Sequence, residues 1–337
     1  MVFYVLRRLA ATVVMAVAAT LVVFLIAHTV PADPVLAQLG DRAAANPELV
    51  ARYRAHWGLD RPLWVQYGLF LGGLVRGDLG ESIVSRRPVV EDIAEYAPAT
   101  FELATAAALL IVLVGVPLGV AAAVRRDAWV DHLARLVSLI GVSAPTFWLA
   151  FIALAVFYGG LHIAPAPGRL GAADLPPPTV TGLYLVDSLL AGDPDTFRSA
   201  LAHLVLPALV LAAGTVGLIT RTTRASMLDV LGQDYIRMAR AKGLPRSKVV
   251  VRHALRTALI PIVTLGGVTY AELLAGAVLT ETIFSWPGLG RFTFDSAVAL
   301  DFPALMGVTL VVAAVFLLVN LAVDLSYAVL DPRVVAA

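Results

Sequence analysis

Apolar residues in this chain come in long unbroken runs. Crossing a bilayer as a helix takes about 20 of them. Six windows reach that length: residues 10–30, 101–124, 136–158, 201–219, 258–279 and 304–323. Together they hold two acidic residues, Glu102 and Glu272, and no Lys or Arg. The run 179–190 is too short to span and contains Asp187. The pattern predicts an all-α polytopic membrane protein with six transmembrane helices. The first window has 21 residues and leads into Pro31-Ala32-Asp33-Pro34. A secretory signal has an apolar core of about 7–15 residues and a small-residue cleavage site, so the window reads as an uncleaved first span.

The polar stretches between the windows orient the chain. Lys and Arg stay on the cytoplasmic side, most reliably in short loops. Arg7 and Arg8 precede the first window, and Arg125, Arg126 and Arg135 lie between the second and third. Residues 221–256 carry nine basic residues against two acidic ones. The opposite loops are poorer: residues 159–200 hold two basic and four acidic residues, and 280–303 one basic residue. Both termini are expected in the cytoplasm. The loop 31–98 has seven Arg and nine acidic residues; a loop this long is translocated largely regardless of charge. The expected organisation is an N-terminus and first span over 1–30, an extracytoplasmic loop subdomain over 31–98, a five-helix core over 99–330 and a cytoplasmic tail over 331–337.

Two loops show helical patterning. In the outer loop, residues 47–56 place Leu49, Val50, Tyr53 and Trp57 at helical spacing, and residues 63–75 are rich in Trp64, Tyr67 and Phe70. Such aromatics favour the headgroup region, so a helix lying on the surface and packing on the spans is expected. In the inner loop, residues 234–242 read as a short helix stopped by Gly243. Pro245 suits the first turn of the next helix. The result is a compact knob, with a small apolar face (Ala239, Ala241, Leu244) rimmed by Arg and Lys. The segment 164–195, with Pro176-Pro177-Pro178, reads as an irregular outer loop, and no internal repeat is evident.

Composition supports the membrane reading: 59% of the 337 residues are hydrophobic and 15% charged, against about 25% charged in soluble chains. A net charge of +1 gives no case for nucleic acid. With no cysteine, thiol and disulfide chemistry are excluded. The two lysines, Lys242 and Lys248, follow Ala241 and Ser247, so no Gly-Lys-[Ser/Thr] phosphate loop exists. No metal-spaced His pair and no Gly-x-Ser-x-Gly elbow occur. The expectation is a non-enzyme without cofactor or metal. Glu272 stands out as an ionisable group expected mid-span. Such groups face a bundle interior or a wet cavity, as a path-lining residue or as a hydrogen-bonded structural one. Glu102 and His28, at outer ends of spans, read as interfacial.

The residues Arg237-Met238-Ala239-Arg240-Ala241-Lys242-Gly243, followed by Arg252-His253-Ala254-Leu255-Arg256, resemble the coupling loop of inner-membrane permease subunits of ABC importers, in the dipeptide/oligopeptide and nickel uptake branch. Arg237 stands where the general importer motif has Glu. Further similar segments follow in order: Tyr4-Val5-Leu6-Arg7-Arg8-Leu9, Gly58-Leu59-Asp60-Arg61-Pro62-Leu63, Gly77-Asp78-Leu79-Gly80-Glu81-Ser82, Ser143-Ala144-Pro145-Thr146-Phe147-Trp148, Glu281-Thr282-Ile283-Phe284-Ser285-Trp286-Pro287-Gly288-Leu289-Gly290 and Asp331-Pro332-Arg333. The resemblance implies a type I importer permease fold and a subunit forming half of a translocation path for short peptides. It also implies two cytoplasmic ATPases, a second, non-identical permease and an extracytoplasmic peptide-binding protein as partners. Ala239, Arg240, Ala241, Lys242, Gly243, Leu244, Pro245, Arg252, His253 and Arg256 would form the ATPase contact, and Glu272 is the candidate for the substrate path. Other solutes of the branch (nickel chelates, glutathione, haem) and an ATPase-independent transporter remain open alternatives. A plain solvated basic loop is the bland reading of the knob.

Overall fold

A computed structural model describes residues 2–29, 46–48, 50–51 and 60–330. Among them it is helical throughout, apart from connecting loops and one isolated bridge between Glu81 and Pro88. The helices are α1 (Val2–Thr29), α2 (Leu63–Val75), α3 (Val89–Leu110), α4 (Val116–Val124), α5 (Trp129–Ser143), α6 (Thr146–Ala153), α7 (Tyr184–Leu190), α8 (Pro194–Leu231), α9 (Asp234–Ala241), α10 (Arg246–Lys248), α11 (Arg256–Gly276), α12 (Val278–Ile283), α13 (Leu289–Val298) and α14 (Phe302–Leu330). Three π-helical stretches, Ile111–Gly115, Leu154–Gly160 and Val249–Leu255, join or extend these helices without a break.

Among the described residues, five helical stretches are long and apolar enough to cross a membrane: Val5–Ile26, Val89–Val124, Pro194–Leu231, Arg246–Ala275 and Phe302–Tyr327. They match five of the six expected windows. The window 136–158 is not one helix. It breaks between α5 and α6 at Ala144 and Pro145, where Pro145 is extended (φ −61°, ψ 134°). Proline lacks a backbone donor and disfavours helical angles in the residue before it. A second difference concerns the expected boundary at 98/99, which falls inside α3: this helix runs straight through Pro98. The loop 164–195 is not wholly irregular either, since it contains α7.

The central element is α8, 38 residues and about 57 Å long at 1.5 Å per residue. Asp193 caps its start, accepting from the Thr196 amide at 3.0 Å and the Thr196 hydroxyl at 2.7 Å. Apolar clusters pack along its length. One end has Ala99, Leu103, Leu204, Ala208 and Trp286. The middle has Ala107, Ile111, Ala212, Ile219 and Leu273. The other end, beside the basic loop, has Ala123, Met227, Val230, Ile236 and Ala258. Small residues let the backbones close up, as is usual between membrane helices: a Cβ on Gly217 would lie 2.6 Å from the Cα of Ser138 in α5. Helix α1 lies outside this core against α14, with Arg8 paired to Asp324 at 2.9 Å.

The surface helix expected over 63–75 is α2, and it packs on α1 as anticipated. Tyr67 hydrogen-bonds Thr20 (2.9 Å), and Phe24 meets the rings of Tyr67 and Phe70 at 5.4 and 5.7 Å. Of the helix expected over 47–56, the described residues 47–48 and 50–51 are helical, and the rest lies outside the described residues.

Candidate functional site

The basic loop folds as a knob on the end of the bundle. Asp234 sits in the first turn of α9 and Arg240 in its last, the charge order that complements a helix dipole. The helix stops at Gly243, whose φ of +74° is the left-handed angle that glycine adopts without strain. Pro245 (ψ 142°) caps the next helix from outside rather than entering its first turn, and α10 widens into the π stretch that leads to α11. Three contacts make the knob rigid. Ile236 is fully buried against the bundle, Arg246 Nη2 donates to the Val124 carbonyl at 2.9 Å, and the Tyr235 hydroxyl donates to Thr257 Oγ1 at 3.1 Å.

Of the residues expected on its outer face, Arg240, Ala241, Lys242, Gly243, Leu244, Pro245, Arg252 and Arg256 are exposed, and His253 is half-buried. Ala239 is not on that face: it is buried with Ile236, Val249 and Ala254, because a residue three positions after Ile236 shares its inward side. The apolar part of the exposed face is supplied by Tyr235, Met238, Leu244 and Val251.

Beside the knob lies an ionic clasp that sequence reading missed. Asp131 is fully buried. It accepts from Arg224 at 2.6 and 2.8 Å, from Arg135 at 2.8 and 3.3 Å, and from the Asp127 amide at 3.1 Å. The Arg224 hydrogen bonds, opposed by burial and helped by Arg135, hold this carboxyl well below the usual range. The clasp joins α5 to α8. Its signal in the sequence is the four-residue spacing of Asp127, Asp131 and Arg135.

At the opposite end of the bundle, buried acids pin the loops. Glu102 is not interfacial as expected. It is buried and paired with Arg169 (2.7 and 3.1 Å), and it also accepts from the Leu185 amide at 2.8 Å. Arg169 in turn lies 3.6 Å over the Tyr184 ring. Glu281 is fully buried, accepting from Thr100 Oγ1 at 2.7 Å and the Arg291 amide at 3.0 Å. Burial pushes its carboxyl up. Trp286 donates its indole N–H to the Ala99 carbonyl at 2.8 Å. The side chain of His28 lies outside the described residues.

Glu272 is not mid-helix: it sits one turn before the end of α11 at Gly276. Tyr270, two residues earlier, bonds Thr105 of α3 at 2.9 Å. Glu272 is exposed and makes no hydrogen bond or ion pair with the described residues, so the hydrogen-bonded structural role is not seen. Among the described residues no acid, His or Cys cluster could hold a metal.

The described residues thus form a long helical bundle with a rigid basic knob at one end and pinned loops at the other. Residues 115–336 match the family described as binding-protein-dependent transport system inner membrane component, and residues 1–104 match its N-terminal counterpart. The chain belongs to this family: it is a non-catalytic, multi-pass inner-membrane permease subunit of a system that works with ATPase and binding-protein partners. It is 47% identical to the probable D,D-dipeptide transport system permease protein of Escherichia coli, over 98% of this chain and 97% of that one. It is 43% identical to the dipeptide transport system permease protein of Escherichia coli, over 98% of both chains. It is 42% identical to the di/tripeptide transport system permease protein of Pseudomonas aeruginosa, over 99% of both.

Proposed function

We propose that this subunit forms half of the path by which an ATP-driven importer carries di- and oligopeptides, and that the knob at 234–256 is where ATPase motion enters it. The observation that carries the reading is the knob itself. Its exposed Tyr235, Met238, Leu244 and Val251 are flanked by Arg240 and Lys242, and Ile236 fixes it to the bundle. An element that transmits force between two sites must be rigid and have two positions; a helix packed on α8 and followed by a π stretch is suited to that. The peptide cargo rests on the relatives, which are named as D,D-dipeptide, dipeptide and di/tripeptide permeases.

In this reading α5 and α6 together make the sixth crossing, both termini lie in the cytoplasm, and the Trp286 end faces a peptide-binding protein. Two ATPases each receive one knob, one from this chain and one from a second, non-identical permease. Gentle purification through a C-terminal tag tests it. Recovery of two ATPases and a second permease supports the reading, with ATPase recovery lost in Met238→Glu, which leaves Ile236 untouched. A chain recovered alone, even with a non-hydrolysable nucleotide, refutes it.

A further inference from the structure

We propose that the cleft between α5 and α8, beside the knob, seats the phosphate of an anionic phospholipid. Its volume is ≈ 840 Å³. Arg126, Arg135, Arg221 and Arg224 line it, together with Asp127 and Asp229, and Asp131 lies behind its wall. These arginines are not equivalent. Arg224 and Arg135 are engaged by Asp131. Arg126 has only an exposed contact of 3.4 Å with Asp127. Arg221 is exposed and has no hydrogen bond or ion pair among the described residues. Four arginines against three aspartates leave one surplus positive charge, the complement of one phosphodiester. Guanidinium groups are suited to phosphate oxygens through paired N–H donors.

The cleft also has an apolar flank, which selects a lipid over a free anion. Leu139 of α5 and Leu228 of α8 line it. A free phosphate gains nothing from that flank, whereas a phospholipid lays its acyl chain along it. Basic pockets between membrane helices bind anionic headgroups in this manner. The seat is fixed by the clasp, since Asp131 holds α5 and α8 at the spacing that forms the cleft.

The test uses the complete complex of permeases and ATPases in mild detergent, with native mass spectrometry counting retained phosphatidylglycerol. Arg126→Gln and Arg221→Gln should each lower retention about fivefold, the factor for one basic residue at an anionic surface. Arg198→Gln, at an exposed arginine at the start of α8 remote from the cleft, should keep it. Unchanged retention in the double Gln variant overturns the proposal. Displacement of the lipid by millimolar inorganic phosphate would make the cleft a free-anion site and overturn the lipid assignment. Cross-linking of a Leu139→Cys variant to the second permease would show that a subunit interface covers the cleft, overturning it as well.

Discussion

Arg224 of α8 meets Asp131 of α5 at 2.6 Å, and that carboxylate has no exposed surface. The pair ties the broken helix α5–α6 to the central helix at the knob end of the bundle. Removing one partner of such a pair leaves a buried charge unmatched, which costs about 3–5 kcal/mol. Arg224→Ala should cost less, about 2 kcal/mol, because Arg135 still reaches Asp131. A fall in the thermal midpoint of the detergent-solubilised protein checks this. The pH dependence has a definite sign. A carboxyl held below its ordinary value stabilises the fold above that value and loses the contribution as pH falls through its lowered one. The clasp should therefore be insensitive to pH around neutrality and open only in strong acid.

Trp286 is buried and bonded to the Ala99 carbonyl. Trp286→Phe should cost about 1 kcal/mol for the hydrogen bond, and Trp286→Ala about 3–5 kcal/mol with the cavity included. Protease susceptibility of the 277–291 segment should rise in that order. Equal susceptibility in the two variants would refute the assigned roles.

Glu281 behaves oppositely to Asp131. Its carboxyl is pushed up by burial, so its contribution is complete below the ordinary glutamate value and declines as pH rises through the raised one. Hydrogen exchange around residues 281–291 should slow as pH is lowered toward that range, after correction for intrinsic rates. Glu281→Gln should abolish the dependence. It should also cost about 1–2 kcal/mol, because an amide NH2 would face the Arg291 N–H.

Gly243 has open space where a Cβ would stand, but a φ of +74°. Gly243→Ala should cost about 1 kcal/mol of local strain, leaving the protein in the membrane with reduced uptake. Gly243→Trp adds bulk at the exposed tip and should abolish uptake without changing membrane abundance. Normal uptake by the Trp variant would refute the knob as the ATPase contact.

Because the chain has no cysteine, single cysteines report orientation cleanly. Val75→Cys (88% exposed) and Val298→Cys (72%) should be labelled by an impermeant reagent from outside. Lys242→Cys should be labelled only in inverted vesicles. The reverse pattern would refute the orientation.

Much of this fold is legible in the order of its residues. Bilayer thickness sets the length of an apolar run, so five windows appear as five long helices. Gly243 and its left-handed turn are legible because few residues tolerate that backbone angle. The knob's helix is legible in its boundaries but not in its facing: Ala239 turns inward because Ile236 docks on Met227 and Val230.

The sequence by itself determined what is local: the spanning lengths, the charge asymmetry and the helix stops. It held the break at Pro145 in plain sight, but hydropathy averages over one residue. Only the tertiary structure decided which acids are paired. Glu102 finds Arg169 across 67 positions, Asp131 finds Arg224 across 93, and Glu281 finds Thr100 across 181. Those partners are set by which helix lies beside which. A charge inside a helical bundle takes its meaning from its neighbour rather than from its place along the chain.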